Sequence, residues 1–300
     1  MTDSAPKESI RDLLTEIIDY AGLFPPSEVS MAEAVLNYAT YKNSNYNWML
    51  GRFVVPVSRL DEFWEAAGDF ISRDKNGWRL SVLAGEDNYY TIRKTDDFNA
   101  HHSPFVFCDT LEVRATTESK IENTAEALPD YLKAYFEIPN NERLGDLVAT
   151  LAFLGQRAKI RTGGVTADAF PRPNEIIRFV RTCLAANVPF KATAGLHHPL
   201  RCFKPLTYAA NAPQGTMHGF LNMFLTVAFA REGCESLILE EILEDEFEEG
   251  FVFDQGGVTW RNDYFLSIAQ LVRLRRENII SFGSCSFDEP IADLQQIGLL

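Results

Sequence analysis

Ala158-Lys159-Ile160-Arg161-Thr162-Gly163-Gly164 and, after a helix-length interval, Phe190-Lys191-Ala192-Thr193-Ala194-Gly195 decide how this chain folds. In both phrases apolar residues alternate with polar ones, and a strand sends alternate side chains to opposite faces. Lys159 and Arg161 therefore share one face of the first strand, and Lys191 and Thr193 share one face of the second. Glycine ends each phrase. Residues 174–186 between them have the length and mixed polarity of a helix, and strand, helix, strand is the repeating unit of a parallel sheet.

The same pattern recurs along the chain. Short β-branched and aromatic runs at 52–57, 80–83, 105–113, 131–138, 157–162, 189–193, 251–253 and 279–282 read as eight strands. Helical segments at 59–71, 118–128, 141–154, 174–186, 217–231 and 264–276 lie between them. This order predicts an α/β fold, a single (β/α)8 TIM-type barrel. Residues 1–300 form one domain, since no Pro-, Gly- or Ser-rich linker divides them, and residues 1–50 are a helical extension packed on the barrel. An open doubly wound sheet is the competitor, but neither G-x-G-x-x-G nor G-x-x-x-x-G-K-[ST] occurs.

Composition sets the outer limits. With 300 residues, 46% hydrophobic and 23% charged, the chain can bury a large core, which excludes a disordered or fibrous protein. A formal net charge of -14 argues against nucleic acid or an anionic membrane as partner, because either calls for a basic face. Seven carboxylates between Glu240 and Glu249 supply half of that charge and read as a solvated helix end. Five cysteines without C-x-x-C spacing suggest neither a disulfide framework nor a zinc finger and fit the cytoplasm. The charged amino terminus does not read as a secretory signal, and no apolar run approaches the ~20 residues that span a bilayer.

In a barrel, catalytic groups come from the carboxyl ends of strands. Lys159, Arg161 and Lys191 on buried parallel strands need a solvated cavity or negative partners, and an active-site mouth meets that need. Three neighbouring cations would bind a carboxylate or phosphate, and their repulsion would favour a neutral lysine able to attack a carbonyl. Pairing with Glu137 or another interior carboxylate is the structural alternative. Glu137 itself, near the end of the 131–138 strand, could accept a proton or neutralise Lys159, and Asp109 has a weaker claim of the same kind.

Lys159-x-x-Thr162-Gly163 followed by Phe190-Lys191-Ala192-Thr193-Ala194-Gly195 resembles, over about 40 residues, two consecutive strands, the fifth and sixth, of deoxyribose-phosphate aldolases and related class I aldolases. In that family the lysine of a Phe-Val-Lys-Thr-Ser-Thr-Gly phrase forms a Schiff base, so the resemblance implies that role for Lys191. The present phrase departs from it in having Phe directly before Lys191, Ala192 in place of Thr, and Leu196-His197-His198-Pro199 after Gly195. The phrase running from Asp19 to Pro26 is similar to segments of bacterial proteins of uncharacterised function.

The long connection after Gly195 reads as a lid or binding loop carrying His197, His198, Arg201 and Lys204. His198 or His197 could move protons, with His218 as a further candidate, and His197 and Arg201 could contact substrate. Gly283-Ser284 stands where many barrels bind phosphate through backbone amides, whereas Gly256-Gly257 reads more readily as a tight hairpin. The expected function is a lyase of aldolase type acting on a small anionic carbonyl compound. Lys191 is its amine, Lys159, Arg161 and Thr193 flank it, and Glu137 with His198 handles protons. This reading requires no cofactor and no metal, and it allows a homo-oligomer. The alternatives are a metal-assisted hydrolase built from histidines and carboxylates, and a ligand-binding barrel without catalysis.

Overall fold

The computed structural model describes residues 6–71 and 77–300. Residues 1–5, the start of the charged amino-terminal segment, lie outside the described residues. The strands β1 (Ile18–Tyr20), β2 (Leu50–Pro56), β3 (Trp78–Leu83), β4 (Val106–Arg114), β5 (Lys133–Glu137), β6 (Arg157–Arg161) and β7 (Phe190–Thr193) run parallel in sequence order. Two further elements follow, an antiparallel hairpin of β8 (Cys202–Pro205) and β9 (Gln214–Met217), and an antiparallel sheet of β10 (Phe251–Phe253), β11 (Gly257–Trp260) and β12 (Tyr264–Ser267). Strand β13 (Ile279–Ser284) then pairs with β7 on one side and β1 on the other, closing an eight-stranded parallel barrel.

Helices α1 (Glu8–Leu14), α2 (Met31–Lys42), α3 (Leu60–Ile71), α4 (Asn88–His102), α5 (Glu118–Ala127), α6 (Leu144–Phe153), α7 (Pro173–Ala185), α8 (Phe220–Arg231), α9 (Ser236–Glu244), α10 (Ile268–Glu277) and α11 (Asp288–Gln296) complete the molecule. Several start on side-chain caps. Asp87 accepts from Tyr90 N at 2.9 Å ahead of α4, and Ser267 forms a capping box with Gln270 ahead of α10. Between strands and helices lies a continuous apolar core to which the barrel contributes Phe53, Val55, Leu80, Val82, Leu111, Val113, Phe136 and Ile160.

The single (β/α)8 barrel stands, but two of its expected strands change. The first strand is Ile18–Tyr20, inside the 1–50 segment expected to be a helical extension. Residues 251–253, expected as the seventh barrel strand, belong instead to the separate antiparallel sheet. A turn explains this. Asp254 Oδ1 accepts from Gly256 N at 2.7 Å and Gly257 N at 2.9 Å, and a Cβ on Gly257 would lie 1.9 Å from the Leu266 carbonyl oxygen. The glycine pair thus turns the chain back on itself, as the hairpin reading expects, before a parallel partner is reached. In consequence the strands of Lys159 and Lys191 are the sixth and seventh of the barrel.

Candidate active site at the barrel mouth

Barrel interiors are usually filled by layers of branched aliphatic side chains. Here the middle of the barrel is polar. Asp19 (β1), Ser81 (β3), Glu112 (β4), Lys159 (β6), Lys191 (β7) and Ser281 (β13) are each 4% exposed or less. Strand register brings them level, with Lys159 opposite Lys191 and Glu137 opposite Lys159.

These groups form one chain of alternating charge. Lys191 Nζ lies 2.6 Å from Asp19 Oδ2 and 2.7 Å from Glu112 Oε1. Lys159 Nζ lies 2.8 Å from the other Glu112 oxygen and 2.9 Å from Glu137 Oε2. Ser281 donates to Asp19 Oδ2 at 2.7 Å, Ser81 donates to Glu112 Oε1 at 2.8 Å, and Arg52 N donates to Asp19 Oδ1 at 2.8 Å. Buried charges persist only when paired and hydrogen-bonded in this way.

The pairing inverts the expected electrostatics of Lys191. Burial disfavours its ammonium, but the carboxylates of Asp19 and Glu112 outweigh burial and hold its pKa well above the ordinary lysine value. Burial likewise opposes a charged Glu112, yet Lys159 and Lys191 hold its carboxyl well below the usual range. Lys191 is not driven to neutrality by the neighbouring lysine, because Glu112 stands between them.

Above this layer a cavity of about 310 Å³ opens at the strand carboxyl ends. Glu112, Glu137, Lys159, Arg161, Thr193, His197 and Gly283 line it, together with Arg114 and Cys285. Lys159 and Lys191 therefore differ in access: Lys159 forms part of the floor, whereas Lys191 lies beneath it and does not line the cavity. At the rim Arg161 is exposed, and Arg114 Nη2 lies 3.7 Å from Glu137 Oε1. Close approach of β6 and β7 shapes one wall. Gly195 has φ +75°, and a Cβ there would lie 2.6 Å from Phe170 Cε1 and 2.8 Å from Gly163 Cα.

Other expected site residues lie elsewhere. His198 Nδ1 is 2.5 Å from Asp293 Oδ2 and 3.3 Å from Lys204 Nζ, in a surface depression outside the mouth, and burial holds its pKa below the ordinary value. Arg201 lines that same depression, where it pairs with Glu246, and it also lies against Glu244. Consecutive residues leave the strand end in different directions, so His197 reaches the mouth and His198 does not. Ser284 is buried, its carbonyl accepting from Ala21 N at 2.7 Å, and it does not line the cavity beside Gly283. His218 Nε2 is 2.8 Å from the Pro171 carbonyl oxygen. Asp109 pairs with Arg52 and Arg79 toward the amino ends of the strands, far from the mouth.

A larger hollow of about 720 Å³ lies near β2 and β3 on that amino-end side. Its Arg79 and Glu16 pair with one another at 2.9 Å, and it contains none of the convergent lysines, so the smaller cavity is the better candidate. Among the described residues no group of three or more His, Cys, Asp or Glu side chains is arranged to hold a metal ion. Among them, too, no helix is long and apolar enough to cross a membrane.

Asp19, Glu112 and Cys285 escaped the reading of the sequence. Glu112 carried a usable signal, since Thr110-Leu111-Glu112-Val113-Arg114 alternates as the lysine strands do. Asp19 sits in a three-residue strand whose flanks read as helical. Fold and site together define a (β/α)8 barrel with a lysine-floored, charged cavity at its carboxyl end. No protein-family model matches the chain, and no curated protein matches it.

Proposed function

We propose that the barrel mouth is the active site of a lyase of aldolase type that takes a small anionic carbonyl compound, and that Lys159, rather than Lys191, is the amine that forms the Schiff base. The observation that carries this reading is the position of Lys159 in the cavity floor, with its Nζ 2.9 Å from Glu137. Lys191 has no comparable access and is held as an ammonium by two carboxylates. A volume of about 310 Å³ suits a compound of a few carbon atoms, and Arg161 and Arg114 at the rim supply charge for its anionic group.

The chemistry follows from these positions. The Lys159 ammonium passes a proton to Glu137, and the freed lone pair attacks the carbonyl carbon. Glu137 returns that proton to the alkoxide oxygen and then relays a second proton from the nitrogen to the resulting hydroxyl, which leaves as water, so ammonium and carbonyl become iminium and water with no net proton change. Glu137, ionised again, takes the proton of a hydroxyl on the carbon two away from the iminium carbon; the bond between that carbon and the adjacent one breaks, its electron pair flows into the iminium to give an enamine, and the departing fragment leaves as a carbonyl compound. The enamine carbon then takes that proton back from Glu137, and water hydrolyses the resulting iminium to free the second product and Lys159. Thr193 lines the same wall and can orient the substrate, while Lys191 neutralises Glu112 from below.

A binding barrel without turnover is the second reading, favoured by the full set of carboxylate partners around Lys159. The test is a screen for carbon-carbon bond cleavage and condensation with a panel of phosphorylated and carboxylated aldehydes and ketones. Turnover that disappears in Lys159→Ala supports the proposal. Saturable binding with no turnover across the panel supports the binding barrel.

A further inference from the structure

One cluster of the mouth has no part in the lysine chemistry. Cys285 directly follows β13 and lines the cavity on one side and a shallow outer groove, with Tyr208 and Glu289, on the other. His197 Nδ1 lies 3.8 Å from Cys285 Sγ and 3.5 Å from Glu289 Oε2. Tyr208, in the segment joining β8 and β9, places its hydroxyl 3.8 Å from the same sulfur and donates to Glu289 Oε2 at 3.2 Å. Three side chains from three separate segments thus gather around one thiol, His197 and Tyr208 touching the sulfur and Glu289 touching both of them.

We propose that Cys285 is a second nucleophile of this cavity, activated by His197, and that it captures small aldehydes reversibly as hemithioacetals. A thiol becomes nucleophilic as its thiolate, and an adjacent imidazolium stabilises that form. Burial opposes charge on both partners. Even so, His197 is raised to about 9 by Cys285 and Glu289, and Cys285 is brought below its ordinary value by His197. The other four thiols, at Cys108, Cys183, Cys202 and Cys234, are all pushed up by burial. The step balances within the pair: sulfur bonds to the aldehyde carbon, the carbonyl π pair moves to oxygen, and that oxygen takes the Nδ1 proton of His197. Nothing is oxidised and no group leaves. The choice of an aldehyde rests on the carbonyl reading of the mouth, whereas the reactivity of Cys285 does not.

The test is alkylation by iodoacetamide with peptide mass mapping, using the whole protein. Cys285 should react at pH 6.5 roughly ten-fold or more faster than Cys234, with a rate that levels off below the ordinary thiol value of 9.0. His197→Gln should slow it by a similar factor and move the profile to higher pH. A rate no faster than that of Cys234, or a wild-type profile still rising through pH 9, overturns the proposal without needing any variant. Glyoxylate labelled with ¹³C then reports capture. A hemithioacetal carbon should be seen by NMR in the wild type and in Lys159→Met, and be lost in Cys285→Ser. Its persistence in Lys159→Met separates this proposal from the fate of the Schiff base. If the resonance is missing from the wild type, or is unchanged by Cys285→Ser, aldehyde capture by Cys285 is wrong.

Discussion

Lys159 and Lys191 stand opposite one another on neighbouring strands and share a single carboxylate, that of Glu112, each taking one of its oxygens at 2.8 and 2.7 Å. Glu112 is therefore the element that makes two adjacent ammoniums tolerable in a closed barrel. Removing one partner of a buried ion network leaves an uncompensated charge, which typically costs about 3–5 kcal/mol. Glu112→Gln should lose stability on that scale in urea unfolding. A loss below ~1 kcal/mol would mean that the network contributes little to holding the barrel together.

The same carboxylate sets the acid limb of stability. Its folded pKa lies below its ordinary value of 4.5, so its contribution is complete above about pH 4.5 and fades as pH falls further. Lys191 has the opposite sign. Its folded pKa lies above the ordinary 10.5, so its contribution is complete below that pH and fades as pH rises beyond it. Thermal unfolding should show a plateau between these limits with respect to both groups. In Glu112→Gln the dependence below pH 4.5 should be flatter.

The two lysines should separate in a stability measurement. Lys191→Met strands Asp19 and removes a side chain 1% exposed, so it should cost about 3–5 kcal/mol. Lys159→Met leaves Glu137 facing the cavity, where water can reach it, and should cost less. Equal losses in urea titrations would contradict the difference in access between them.

Much of this architecture is legible in the sequence alone. Parallel strands buried on both faces should be uniformly apolar, and the alternation of Lys159 and Arg161 with Ala158 and Ile160 marked a polar barrel interior. Strand β1 was missed because three residues give too short a pattern to outweigh the helical one beside it. Residues 251–253 look the same in sequence whether their partner is parallel or antiparallel, and only the Asp254 turn decides it. The cations were found, but their electrostatic state was not. Asp19 is 172 positions from Lys191, and no local pattern reports that they touch.

Arg161 is exposed at the rim and should act on the ligand alone. Arg161→Ala should leave stability within about 0.5 kcal/mol and weaken binding of carboxylated or phosphorylated carbonyl compounds roughly ten-fold or more. Affinity for uncharged aldehydes should change little. Isothermal titration with matched charged and neutral ligands measures the difference, and equal losses for both would remove Arg161 from anion recognition.

Gly195 is a test of the mouth's shape. Its φ of +75° and the 2.6 Å approach to Phe170 leave no room for a methyl group. Gly195→Ala should cost about 1–3 kcal/mol and push Phe170 away from Gly163. Near-neutral stability in urea unfolding would show that this wall can yield without cost.

The identity of the amine is tested most directly by borohydride reduction in the presence of pyruvate and glyoxylate, followed by peptide mass mapping of the fixed adduct. The account predicts one adduct, on Lys159, abolished in Lys159→Ala and sensitive to Glu137→Gln. An adduct on Lys191, an adduct confined to an exposed lysine such as Lys133, or none across a broad panel of small anionic carbonyl compounds would contradict it.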